Sequence, residues 1–408
     1  MSRSTGGIVD RAGCADRYLR HLTDDILAFW IRHAPDAVHG GFHGQLDRRG
    51  HPVASRPKSL VQHARFLWSF SSAYRLDPRP AYREMADRAL SFLLERFHDP
   101  RRMGWFWLVA PNGRPLDRQK HLYGQAFAIH GLSEYTLAFG GGEALTLARD
   151  TFDAVDHHGH DSEHGGYRQS FSLDWSPTPG RRHLGAMGHQ KTTNTHIHLL
   201  ESLATLYRVS QDVRVGTRLR ELIDLFTTTI FDRSRGCTHE IFERDWTPSR
   251  STKSFGHDIE TSWLLTDACE SVGIRDASSY REVSLLLART AARMGLDPRD
   301  GGIFHGANPA GRVTDRRKVW WVQADALVGF LNAYALSGHD GFLDTFLGVE
   351  RWVFARQVDT QYGEWHHTVG PWGRIRGAKA SIWKTPYHTV RACIELVRRC
   401  RRLAHPAA

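Results

Sequence analysis

The sequence predicts an all-α protein, a closed (α/α)6 barrel of twelve helices with short β-hairpins at one mouth. Three observations carry this expectation. A glycine–aromatic turn recurs six times, at Gly40-Gly41-Phe42, Gly104-Trp105-Phe106, Gly165-Gly166-Tyr167, Gly236 followed by Ile241 and Phe242, Gly301-Gly302-Ile303 and Gly363-Glu364-Trp365. With Gly41, Gly104, Gly166, Gly236, Gly302 and Gly363 as markers, the spacings are 63, 62, 70, 66 and 61 residues, so each period holds one turn and two helices. Within each pair, the helix after the turn is the more apolar and aromatic (LVQHARFLWSFSSAY, WWVQADALVGFLNAY), and its partner is the more charged (PAYREMADRALSFLLERF). An inner ring buried on nearly every side, inside an outer ring that faces water, accounts for both compositions. An open solenoid would not favour six units in particular.

Apolar periodicity places the helices at about 15–32, 58–74, 80–97, 121–139, 142–157, 194–208, 212–231, 257–272, 277–294, 320–337, 341–356 and 384–401. Several turns run on into a second one, as in LDRRGHP, VAPNGRP and GANPAGR, which gives each the form of a small extended hairpin. The second helix opens with KSLVQHARFLW, which carries Arg65, and the fourth with HLYGQAF, which carries Tyr123. The sixth opens with TTNTHIHLLE (Asn194, His196, His198, Glu201) and the eighth within SFGHDIETSWLL, Ser254 to Leu265. There His257, Glu260 and Trp263 stand at i, i+3 and i+6 near the helix start, behind Gly256, which lets the backbone turn sharply. The tenth has KVWWVQAD (Trp320, Trp321, Asp325) and the last IWKTPYH (Trp383, His388). One catalytic domain is expected over 15–401, with a flexible N-terminus over 1–14 and a flexible tail over 402–408.

The 408 residues, 41% of them hydrophobic, are enough for a large core. A net charge of +10 arises from 54 basic residues interleaved with 44 acidic ones, which argues against a nucleic-acid partner. The one dense run, Arg398 to Arg402, reads as a solvated last helical turn. Five scattered cysteines without a C-x-x-C pair argue against a disulfide framework and a thiolate zinc site. No segment has the length of apolar sequence that a signal peptide or membrane span needs, so a cytoplasmic protein, monomeric or homodimeric, is expected.

In a barrel all six inner helix starts surround one mouth, so these side chains converge on one basin. Glycosidases need a pair of acids across the scissile bond. Here the candidates are histidines, His198, His257 and His388, with Glu260 and Asp325 the only evident acids. Imidazole gives and takes a proton near neutrality. Two of them on opposite faces of a carbon α to a carbonyl can remove a proton from one side and return one on the other, while Arg65 stabilises the enediolate oxygen. That is epimerisation or isomerisation of a sugar, with no cofactor and no metal. The His196-Ile197-His198 and His257-x-x-Glu260 spacings are compatible with metal ligation, but no further carboxylates cluster beside these histidines in the sequence.

GHDIETSWLL, NTHIHLLE, KVWWVQAD and WKTPYH, in this order on a six-hairpin frame, resemble the N-acylglucosamine 2-epimerase superfamily, and within it the cellobiose 2-epimerase branch, from about Tyr18 to Leu396. The resemblance implies an (α/α)6 barrel that inverts C2 of a reducing-end aldose by ring opening and a cis-enediolate. It implies that His257 and His388 are the acid/base pair, with Arg65 beside the enediolate oxygens and His198 in support. Tyr123, Asn194, Glu260, Trp321 and Trp383 match sugar-binding positions, and Trp263 and Asp325 are expected beside them, with Glu260 tuning His257. Asp325 stands where the branch usually has glutamate, and AMGHQKTT before Asn194 lacks an acid expected for the non-reducing sugar. The four branch motifs and the two stacking tryptophans make a cellobiose-type β-1,4 disaccharide the expected substrate, and the weakened outer subsite makes free mannose the alternative, by 2-epimerisation or by isomerisation to fructose.

Overall fold

The computed structural model describes residues 11–249, 252–274 and 278–404. The inner ring consists of α2 (Leu60–Leu76), α4 (Leu122–Phe139), α6 (Thr193–Ser210), α8 (Phe255–Ser271), α10 (Trp320–Ser337) and α12 (Tyr387–Ala404). The outer ring consists of α1 (11–33), α3 (80–97), α5 (Gly142–Gly159), α7 (213–230), α9 (278–295) and α11 (340–357). Each inner helix packs on the next, α12 returns to α2, and α1 packs along α12, so the toroid is closed. This is the (α/α)6 barrel that the period predicted. Helix α1 starts at Arg11 and Cys14 is buried, so the stretch expected to be flexible through residue 14 is helical from residue 11 on. Residues 1–10 and 405–408 lie outside the described residues. No helix among the described residues is long and apolar enough to cross a membrane.

The turns couple neighbouring repeats. A two-residue extended segment before each inner helix pairs antiparallel with the hairpin of the next repeat: Lys58–Ser59 with Leu108–Val109, Lys120–His121 with Ser170–Phe171, Lys191–Thr192 with Ile241–Phe242, Lys253–Ser254 with Gly306–Ala307 and Lys318–Val319 with Thr368–Val369. The sixth coupling, Leu46 with Ala380, closes the ring of hairpins. The residue after the lysine caps the helix in four repeats: Ser59, His121, Thr192 and Ser254 each accept a backbone N–H of the first turn.

The lysine itself locks turn to helix. Lys58, Lys120, Lys191, Lys318 and Lys379 are buried and bond Asp36, Asp99, Asp161, Asp297 and Asp359 at 2.6–3.2 Å. Five residues on, His63, Gln125, His196, Asp258 and Gln323 accept the backbone N–H of Phe42, Trp105, Tyr167, Thr238 and Ile303. A buried N–H without a partner is costly, so this side chain fixes the turn against the helix start. His196, whose spacing from His198 is compatible with metal ligation, is thereby committed to the frame. Gly41 has φ +60°, and a Cβ there would lie 2.6 Å from Phe92 and 2.7 Å from His63 Nε2, so the turn requires glycine. The fourth repeat departs from the pattern: Lys253 bonds Asp258 on its own helix, at 2.9 Å.

Candidate functional site

The converging helix starts enclose a cavity of about 150 Å³ lined by Arg65, Tyr123, Asn194, His198, His257, Glu260, Trp320, Trp321, Trp383 and His388. Nine of the eleven side chains singled out in the sequence therefore meet there. Trp321 touches two imidazoles, its ring centroid 5.3 Å from that of His257 and 5.8 Å from that of His388. Gly256 makes this possible in a way unlike the one expected. It lies inside α8, and a Cβ on it would stand 2.3 Å from the Trp321 ring, so the absent side chain is what seats the indole. Trp320 also reaches the cavity, so both members of the tryptophan pair line it. The Trp320 ring lies against His367 at 4.4 Å.

Each of the three cavity histidines has its Nδ1 held by a carboxylate: His198 by Glu201 at 2.7 Å, His257 by Glu240 at 2.6 Å and His388 by Asp325 at 2.9 Å. This fixes ring orientation and leaves Nε2 as the nitrogen available to the cavity. The sequence expectation that no further acids accompany the histidines is thus corrected. The acids arrive one helical turn later, from a hairpin, and from a neighbouring helix. Glu240 escaped the sequence reading because it precedes His257 by 17 residues. Its one local signal is an acid two positions past the clamped turn residue, where other repeats carry Gly44, Trp107, Gln169, His305 and His367.

Glu260, expected to tune His257, bonds Arg391 and acts on His257 through its charge alone. Asp325 and Trp263, expected beside the sugar, lie beneath the cavity. The Trp263 indole donates to Asp325 Oδ1 at 3.2 Å, and its face carries the Arg391 guanidinium at 4.8 Å. Six positions from His257 amount to about 600° of rotation and about 9 Å of rise, which carries Trp263 off the lining face and down into the floor. Arg391, one turn below His388, is the hub of that floor. Its Nη1 donates to Glu201 at 2.6 Å, and its Nη2 donates to Glu260 at 2.5 Å and to Asp325 at 2.7 Å. Ligand-type atoms of Glu260, Asp325 and His388 lie within 4.8 Å of one another, a spacing that suits a cation. The Arg391 guanidinium already supplies the positive charge to both carboxylates.

This network sets the two imidazoles apart electrostatically. Burial works against a charged His257, but the Glu240 carboxylate, its hydrogen bond and Glu260 outweigh it and push His257 up to about 9. Burial, Arg391 and Arg65 hold His388 well below the ordinary imidazole value. Burial pushes Asp325 up to about 6 despite Arg391. At neutrality the cavity thus has a protonated His257 and a neutral His388, both in ring contact with Trp321. Arg65 donates to the Trp383 carbonyl at 2.8 Å and to the Tyr123 hydroxyl at 2.9 Å, and its Nε has no protein partner.

At the other end of the barrel a larger cavity, about 840 Å³, is lined by Arg–carboxylate pairs such as Arg75 with Glu134 and Arg398 with Glu395. The arginine run expected to be solvated therefore partly faces this cavity. Glu201 and Arg391 line it, and they bond His198 and Glu260 of the smaller cavity, so directly bonded side chains separate the two.

A family model for N-acylglucosamine 2-epimerase (GlcNAc 2-epimerase) matches residues 40–392. The chain belongs to this family. Among N-acylglucosamine 2-epimerase relatives, it is 36% identical to the cellobiose 2-epimerase of Bacteroides fragilis, over 93% of this chain and 97% of that one. The structure of cellobiose 2-epimerase from Spirochaeta thermophila superposes with a TM-score of 0.91 at 39% identity, covering 97% of this chain and 98% of that one. D-mannose isomerase of Marinomonas mediterranea is more distant, 24% identical over 93% of this chain and 96% of that one.

Proposed function

We propose that this chain is a cofactor-independent cellobiose 2-epimerase, converting the reducing-end glucose of a β-1,4 disaccharide to mannose. The observation that carries the reading is the pair of imidazoles, one neutral and one charged, that share this cavity. The full-length likeness to cellobiose 2-epimerases supports the substrate. Once the sugar ring is open, neutral His388 takes the C2 proton and Arg65 stabilises the charge that develops on the enediolate oxygens. Charged His257 then returns a proton to the opposite face. His198, fixed by Glu201, supports the bound sugar, and Trp321 and Trp383 supply the stacking walls. Acceptor, donor and counter-charge are all side chains, so the mechanism calls on no metal or organic cofactor. After one inversion His388 carries the proton and His257 lacks one, so exchange with water resets the site.

That reset sets the test. In D2O the purified protein acting on cellobiose gives glucosyl-mannose with deuterium at C2, seen by proton NMR. A sugar product that keeps its original C2 hydrogen overturns the two-histidine mechanism. Release of monosaccharides from cellobiose moves the assignment to a glycosidase. A second reading, epimerisation or isomerisation of free mannose, draws on the segment before Asn194, which offers no acid for a second sugar ring. Turnover of mannose with none of cellobiose establishes that reading instead.

Glu240→Gln tests the electrostatic pairing. His257 is charged below about 9, and that charge is lost as pH rises through this value. Without the Glu240 carboxylate the alkaline limb of kcat/KM moves down toward the ordinary imidazole value of about 6.5, with activity at pH 8 reduced by about 10-fold or more. An alkaline limb unmoved in this variant removes Glu240 from the role.

A further inference from the structure

We propose that Cys14 and Cys400 form a reversible disulfide that joins α1 to α12. The two Sγ atoms are 2.9 Å apart although the residues are separated by 386 positions. A disulfide bond measures about 2.0 Å, so closure asks for a movement of about 1 Å. Both thiols are buried, against Leu331, Phe346 and Leu403, where only about 20 Å³ of free space remains. The pair has no room to part, and little has to move for it to bond.

The barrel's topology gives the link a place. Five inner helices pass directly into their outer partners through short connections: α2 into α3, α4 into α5, α6 into α7, α8 into α9 and α10 into α11. The sixth inner–outer pair, α12 with α1, is the one whose members are not consecutive in sequence. The thiol pair stands in the last turns of α12 and the first turns of α1, the ends at which the other pairs have their connections. A disulfide there makes the sixth connection covalent as well.

The local chemistry assigns the partners. Cys400 donates its S–H toward Cys14, and Arg17 Nη2, itself paired with Glu350 at 2.6 Å, lies 3.9 Å from the Cys14 sulfur. The Cys400 hydrogen bond, followed by Arg17, brings Cys14 below the usual thiol value, while the bond to Cys14 and burial raise Cys400. Cys14 is thus the nucleophile. Burial raises Cys237, Cys269 and Cys393, and no sulfur pair among them is in contact in the described residues. With hydrogen peroxide as oxidant, small enough for this space, the Cys14 thiolate attacks one peroxide oxygen and expels hydroxide, leaving a sulfenic acid. Cys400 gives up its proton and attacks the Cys14 sulfur, expelling hydroxide, which leaves as water. Two protein thiols are oxidised and one peroxide is reduced to two waters, so atoms and electrons balance.

The experiment exposes the folded full-length chain to a slight excess of hydrogen peroxide, then denatures it in acid for intact-mass analysis and peptide mapping. The expected product has lost two hydrogens, contains a Cys14–Cys400 peptide, and runs faster on a non-reducing gel. Its thermal midpoint rises by about 5 °C and returns on reduction. Cys14→Ser and Cys400→Ser each eliminate the product with epimerase activity kept. A Cys14 sulfenic or sulfinic acid that never closes, a bridge between other cysteines, or an unchanged mass after exposure of the folded protein overturns the proposal. The wild-type mass decides it even where a serine variant fails to fold.

Discussion

His388→Asn lowers kcat on cellobiose by about 10³-fold or more, the scale of losing a positioned proton acceptor. Asparagine keeps an N–H donor toward Asp325 in place of the Nδ1 bond, so the fold survives and the loss is chemical. The comparison with His257→Asn makes the assignment sharp. That variant retains the neutral base, so in D2O it exchanges the C2 hydrogen of cellobiose without inverting the carbon. His388→Asn shows neither exchange nor inversion with the same sugar. Exchange of cellobiose C2 in His388→Asn at the wild-type rate would transfer the base role elsewhere.

Arg391→Met has the largest expected effect on stability. The change leaves Glu201, Glu260 and Asp325 buried without their shared guanidinium, and removing one member of a buried charge cluster costs about 3–5 kcal/mol. The measurement is urea unfolding followed across pH. Burial already holds Asp325 above the usual carboxylate value against the pull of Arg391, and without that guanidinium its folded pKa stands further above the unfolded value of about 4. Groups shifted that way favour folding below the unfolded value and lose that contribution as pH rises through the folded one. Arg391→Met therefore weakens progressively from pH 5 to 8, whereas wild type changes far less. Equal deficits at both pH values would argue that lost packing against Trp263, and not charge, is the cause.

The sequence revealed the frame more fully than the floor, for a physical reason. The frame repeats: six turns, a buried lysine before each inner helix and a clamp five residues on leave a periodic trace in one dimension. The cavity wall was legible because helix starts share a mouth, so His257, His388, Arg65 and Trp321 could be placed together by their positions alone. The floor does not repeat. Arg391 joins acids from three other helices, and Glu240 reaches His257 from a hairpin, contacts that depend on depth and on side-chain length. Trp263 and Asp325 were misplaced for the same reason, since face and depth along a helix must both be right for a residue to meet the cavity. The Asp325 departure thus bears on how His388 is held and leaves the reach toward a sugar hydroxyl untouched.

The Leu46–Ala380 bridge makes the last coupling of the ring equivalent to the other five. A molecule built this way has no structural beginning: the order of its repeats matters, the place where the polymer is cut does not. Gly140 and Gly141 lie between α4 and α5 with no atom within 4 Å of a Cβ built on either. A circular permutant opened there, with its former ends tethered by a flexible linker, meets the same six couplings and the same cavity.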